Sequence, residues 1–175
     1  MSKITRNFDT EEFSSDELNG YQLSLLQILA ENLQIVRDKL QDYKKYPKKE
    51  VTISITSGVR STSDYDRLKK AGYHPSKTSD HYFGLQLSSK PTLGAADTVY
   101  NNCTLRHEEI ARKIIEWEKL GEVHFGQIIY ERNPISGVEW IHLGNDPYLI
   151  FRPEIKITRV KYLKSIDGGK NYIPF

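Results

Sequence analysis

Ser79-Asp80-His81-Tyr82-Phe83-Gly84 and Gly94-Ala95-Ala96-Asp97 stand on either side of residues 85–93, LQLSSKPTL. With that segment removed the two pieces join as S-D-H-Y-F-G-G-A-A-D. A glycine stands at each end of the segment and Ser-Ser-Lys-Pro in its middle is turn-like. It therefore reads as a projecting hairpin whose ends stay close, since a longer loop has only a slowly growing entropic cost. The stretch then brings one imidazole, His81, near one carboxylate, Asp97. A catalytic zinc takes three N or O ligands and keeps a fourth position open. His81, Asp97 and His142 can supply two imidazoles and a carboxylate. No HExxH helix occurs, so the ligands must converge from separate elements. His74, His107 and His124 lack any such framing and read as surface or satisfied core histidines.

The joined stretch resembles the S-x-H-x-x-G-x-A-x-D signature of zinc peptidases related to D-Ala-D-Ala carboxypeptidases. That family adds a glycine-arginine turn upstream and a Glu-x-x-His downstream. Here these are Ser57-Gly58-Val59-Arg60-Ser61 and residues 139–142, in family order. The resemblance covers residues 7–144, and the inserted 85–93 is the departure from it. Short NF…EEF openings, as in residues 7–13, are similar to the phage and bacterial branch. The resemblance implies an α+β, Hedgehog/DD-peptidase-like fold, an antiparallel sheet with flanking helices. It also implies a zinc ion on His81, Asp97 and His142, with Arg60 steadying the substrate or an oxyanion and Ser79 hydrogen-bonding the substrate. Glu139 is the implied general base. Residues three apart on a strand face opposite sides, so this role requires Glu139 to sit at a bend after Gly137, with 140–143 forming the ladder. Glu131 is the rival carboxylate, read as second to Glu139 and supporting or structural.

Composition sets the outer limits. The chain of 175 residues suffices for one domain with a sizeable core. Apolar and charged fractions of 38% and 27% are those of a globular protein. A formal charge of +2 makes no case for nucleic acid as a partner. The charge is uneven, however: from Asp146 onward six Lys/Arg face three acids, so that tail is +3 and the body −1. The single Cys103 excludes an internal disulfide and a cysteine metal cluster. The opening MSKITRNFDTEEF lacks the apolar run of a signal peptide, and no stretch is long enough to span a membrane. The expectation is a protein made in the cytoplasm, with 1–144 as the peptidase-like domain. Residues 145–175 would be a basic extension, packed on it as added strands or docking to a partner.

Periodicity places the elements. Leu25, Leu26, Leu29, Leu33, Val36 and Leu40 recur at helical spacing over 21–43, and Ser14-Ser15-Asp16-Glu17 has a capping-box pattern upstream. Val51, Ile53 and Ile55 alternate as a half-buried strand. A short helix follows to about Ala71, with Gly72 at its end. Thr104 is the expected cap of a second amphipathic helix along Ile110, Ile114, Trp117 and Leu120, which Gly121 stops. Residues 123–131 and 138–143 form a hairpin about Asn133-Pro134-Ile135-Ser136-Gly137. Ile155, Ile157, Val160 and Tyr162 suggest late strands.

Two functions remain open at this point. One is a zinc peptidase cutting peptidoglycan stem peptides, of the D-Ala-D-Ala carboxypeptidase or L-Ala-D-Glu endopeptidase type. It would act at the bacterial cell wall as a phage lysis or virion-associated enzyme. The other is a structural adaptor of a phage particle built on the same fold, in contact with other phage structural proteins.

Overall fold

The apolar stripe becomes the first helix. In the computed structural model, which describes residues 2–70, 76–84, 92–150 and 162–175, α1 spans Gly20–Leu40 and runs on into a 3-10 turn, Gln41–Tyr43. All six stripe residues are buried, as an amphipathic helix against a core requires. The helix does not start from Ser14. Asn19 caps it, accepting from the Gln22 N–H while the Gln22 side chain accepts from the Asn19 N–H. That pair sits directly before the stripe, whereas Ser14 closes a local turn with Asp16.

Among the described residues six strands form one sheet: β1 (Thr52–Ser57), β2 (Ala95–Asn101), β3 (Phe125–Arg132), β4 (Glu139–Asn145), β5 (Tyr162–Ser165) and β6 (Ile173–Pro174). Their order is β1-β2-β4-β3-β5-β6, with every neighbouring pair antiparallel except β3–β5. The helices are α1, α2 (Thr62–Lys70), α3 (His107–Lys119) and the single turn α4 (Pro147–Ile150). The architecture is therefore α+β, a mostly antiparallel sheet with flanking helices.

α3 starts later than Thr104, whose hydroxyl donates to the Tyr43 carbonyl instead. Arg106 stands at the cap position, with the Glu109 carboxylate returning to its N–H. Ile110, Ile114 and Trp117 are buried as expected, but Leu120, at the C-cap, is exposed. Gly121, at φ +73°, ends the helix in the left-handed conformation that glycine tolerates best.

Strand alternation sorts the sheet into two faces. Ile53, Ala96, Tyr100, Ile128, Tyr130, Ile141 and Leu143 join α1 and α3 in the core. The cross-strand partners Asp97, His142 and Ile129, with Glu131 and Trp140 beside them, lie on the opposite face. The C-terminal segment enlarges the same sheet: β5 lies along β3, and β6 closes the edge. Ala71, Gly72, His74, residues 85–91 and the expected strand residues Ile155, Ile157 and Val160 lie outside the described residues.

Candidate metal centre

Sheet register sets two of the candidate ligands side by side. Asp97 on β2 pairs directly with His142 on β4, and His142 Nδ1 is 3.0 Å from Asp97 Oδ1. His81 comes in from a 3-10 turn, Asp80–Tyr82. Its Nε2 is 3.3 Å from Asp97 Oδ1 and 3.2 Å from His142 Nδ1. Donor atoms bound to a tetrahedral zinc at about 2.0–2.1 Å are themselves roughly 3.3 Å apart. The three atoms thus already have the spacing of one triangular face of such a site.

Hydrogen bonding shows what these atoms present to one another. His81 Nδ1 is 2.8 Å from the Gly58 carbonyl. A carbonyl can only accept, so the proton is on Nδ1 and Nε2 offers a lone pair. Burial first of all keeps the His81 imidazole below its ordinary pKa, hence neutral. Burial acts the same way on His142, but the hydrogen bond and charge of Asp97 outweigh it and raise that pKa. Asp97 is pushed up by burial and down by both imidazoles, which prevail and hold it well below the usual carboxylate range. Lone pairs of His81 and Asp97 therefore face each other with at most the His142 proton between them. A cation relieves that arrangement, and His81, Asp97 and His142 form a group that can hold a metal ion.

The surrounding chain fixes His81. Arg60 N–H donates to the His81 carbonyl at 2.7 Å, so the strand exit and the turn grip each other in both directions. Gly58 can do this only as glycine, because a Cβ there would lie 2.3 Å from the Phe13 carbonyl oxygen. The inserted segment does not pull the site apart. Gly84 N–H donates to the Thr92 carbonyl at 2.9 Å, Gly94 N–H to the Asp80 carbonyl at 3.0 Å, and Leu93 N–H to Asp80 Oδ1 at 2.9 Å. The flanks of 85–91 are thereby clasped beneath the turn. Leu93 and Thr92 are buried, so Leu93 belongs to the interior and not to an exposed apolar patch.

No protein-family model, curated protein or solved structure matches this chain.

The other expected site residues divide. Arg60 joins the group: its Nη2 is 3.5 Å from Asp97 Oδ2, and both Nε and Nη2 donate to Ser57 Oγ. It borders a cleft of about 530 Å³ that also meets Ser15, Asp64, Arg67, Asp97 and Trp140. Ser79 is half-buried at the start of the His81 turn. Glu139 is not brought in. It is the first residue of β4, paired with Arg132, and lies on the α3 side of the sheet. Its Oε2 is 3.7 Å from His107 Nδ1 and its Oε1 3.9 Å from Arg132 Nε. β4 begins at Glu139 itself, in regular register, so the two-residue period puts Glu139 on the face opposite His142.

Glu131 stands where Glu139 was expected. It is a diagonal neighbour of His142 through the pairs Ile129–His142 and Glu131–Trp140, a backbone separation of roughly 7 Å. It is buried, and burial above all pushes its carboxyl up to about 7, the His142 charge opposing and the Asp97 charge assisting. The position in Gln127-Ile128-Ile129-Tyr130-Glu131 was visible in the sequence; its burial was not.

Proposed function

We propose that this chain is a zinc peptidase with a Hedgehog/DD-peptidase-like fold that hydrolyses peptide bonds of peptidoglycan stem peptides, as a phage lysis or virion-associated enzyme. The carrying observation is the tetrahedral spacing of His81, Asp97 and His142, with Arg60 and Glu131 on the same side of the sheet. Bound there, zinc supplies a Lewis acid for the scissile carbonyl and an acidified water. Glu131 is the general base in this reading. A carboxyl that titrates near neutrality can take the proton of the attacking water and return it to the departing amine. Arg60 keeps one edge of its guanidinium on Ser57 and turns toward the cleft, where its fork can receive a substrate carboxylate or a developing oxyanion. Ser79 supplies a hydroxyl near the same turn for a backbone group of the peptide.

A structural role in a phage particle draws on a different observation. Ile135, Val138 and Ile166 are exposed, and the Gly168 N–H donates to the Arg132 carbonyl, placing that loop beside the hairpin tip. Purified protein decides between the readings. The peptidase should contain one zinc per chain and release amino groups from peptidoglycan fragments. His142→Ala should lose both, while Glu131→Gln should keep zinc and lose hydrolysis by ~10²-fold or more. Native protein without zinc, or full activity in Glu131→Gln, overturns the proposal.

A further inference from the structure

The C-terminal segment reaches the candidate site. β5 runs parallel to β3 with Ser165 in register with Glu131, and the chain then turns through 166–171 before β6. Asp167 ties that turn: it accepts from the Ser165 hydroxyl at 2.7 Å, from the N–H groups of Lys170 and Asn171 at 3.1 and 3.0 Å, and from the Asn171 amide at 2.6 Å. The Gly169 N–H donates to Ser165 Oγ at 3.0 Å. The tied turn brings Tyr172 beside Glu131, so that its phenol and the carboxylate border the same small space. The approach is close enough to demand glycine beside it. A Cβ on Gly169, at φ +80°, would lie 2.9 Å from the Tyr172 hydroxyl and 3.0 Å from Glu131 Oε2.

We propose that Tyr172 is a positioning residue for Glu131, so that the C-terminal segment is a working part of the site. The inference rests on the hydrolytic reading above. A carboxylate on a strand has free rotation about its outer bonds, and only one orientation aims an oxygen at the His–Asp–His group. A phenol at this range can donate to one Glu131 oxygen and leave the other for the His–Asp–His side. Because a tyrosine ring has few rotatable bonds and the Asp167 turn holds its backbone, the restraint is built in before substrate arrives. Nothing in the sequence around Tyr172 announces this. It follows from the parallel register of β5.

Tyr172→Phe removes the hydroxyl and keeps the ring. The expected result is unchanged zinc content and melting temperature, kcat reduced by about tenfold, and KM within about twofold, the scale on which orienting partners act. Protein labelled with ¹³C at glutamate carboxyl groups adds a readout without turnover. The Glu131 signal, assigned by its loss in Glu131→Gln, should move in Tyr172→Phe. An unmoved signal, an unchanged kcat, or a loss of zinc overturns the positioning role. If Tyr172→Phe does not fold, Asp167→Ala loosens the turn with the phenol intact and should lower kcat in the same way; an unchanged kcat there overturns the proposal. Wild-type protein that cleaves no peptide sinks the hydrolytic reading, while the labelled carboxyl still decides whether Tyr172 holds Glu131.

Discussion

Glu131 meets two opposing demands. As the proposed base it would have to lose a proton near neutral pH, and as a buried group it resists doing so. With burial as the main cause its carboxyl is raised from 4.5 to about 7. The consequence for stability has a definite sign. Below pH 4.5 the group is protonated in both folded and unfolded chains and costs nothing. As pH rises toward 7 the unfolded chain releases its proton and the folded chain does not, so stability falls across that window. Each pKa unit corresponds to about 1.4 kcal/mol, giving a penalty of up to about 3 kcal/mol above pH 7 in metal-free protein. Glu131→Gln should therefore raise the denaturation midpoint of metal-free protein at pH 8 and leave it nearly unchanged at pH 4.5. Equal effects at the two pH values would show that Glu131 is not held protonated.

The hairpin of β3 and β4 shows what was legible at the scale of an element. Alternating Ile128, Tyr130, Ile141 and Leu143 identify two strands with a common buried side, and Asn133 to Gly137 mark the turn. His142 follows from that pattern, because it falls on the side opposite Ile141. Glu139 follows from it as well: three positions before His142 on a strand, it must face α3. The Glu-x-x-His resemblance points the other way, and the strand's regular pairing with Arg132 decides for the period of two. Helix starts were harder to read, since Ser14, Thr104 and Asn19 are all plausible caps by type. Only the position of the packed stripe selects Asn19 and rejects Thr104. On this account Glu139→Gln should retain hydrolysis within about twofold and zinc in full. Its loss of stability should stay at about 1 kcal/mol, because its charge partners His107 and Arg132 form a loose, partly exposed set and the amide oxygen still faces the nearby Tyr130 hydroxyl. A dead Glu139→Gln enzyme would return the base to β4.

Taken as a whole, the molecule gathers its candidate metal group from three places far apart in sequence: a turn at 81, a central strand at 97 and its neighbour at 142. The excised signature pointed to His81 and Asp97 and the Glu-x-x-His at 139–142 to His142, but their union depends on tertiary clasps. Gly58 carries the His81 ring, Asp80 ties down 93 and 94, and Asn145 donates to the Leu25 and Leu93 carbonyls, joining the sheet to α1. An ion bound to such a group is bound by the folded chain only, so the proposed zinc should stabilise the entire fold. The gain is RT ln(1 + [Zn]/Kd), about 2.7 kcal/mol when free zinc is a hundred times Kd. For a chain of this length each kcal/mol moves the melting temperature by about 2–4 °C. Removing zinc with a chelator should thus lower the melting temperature by roughly 5–10 °C, and restoring zinc should recover it. Asp97→Asn should abolish the difference, since it leaves two imidazoles without the carboxylate they share, whereas Glu139→Gln should preserve it. A melting temperature indifferent to zinc in the native protein would mean that the three side chains pack together without serving as a metal site.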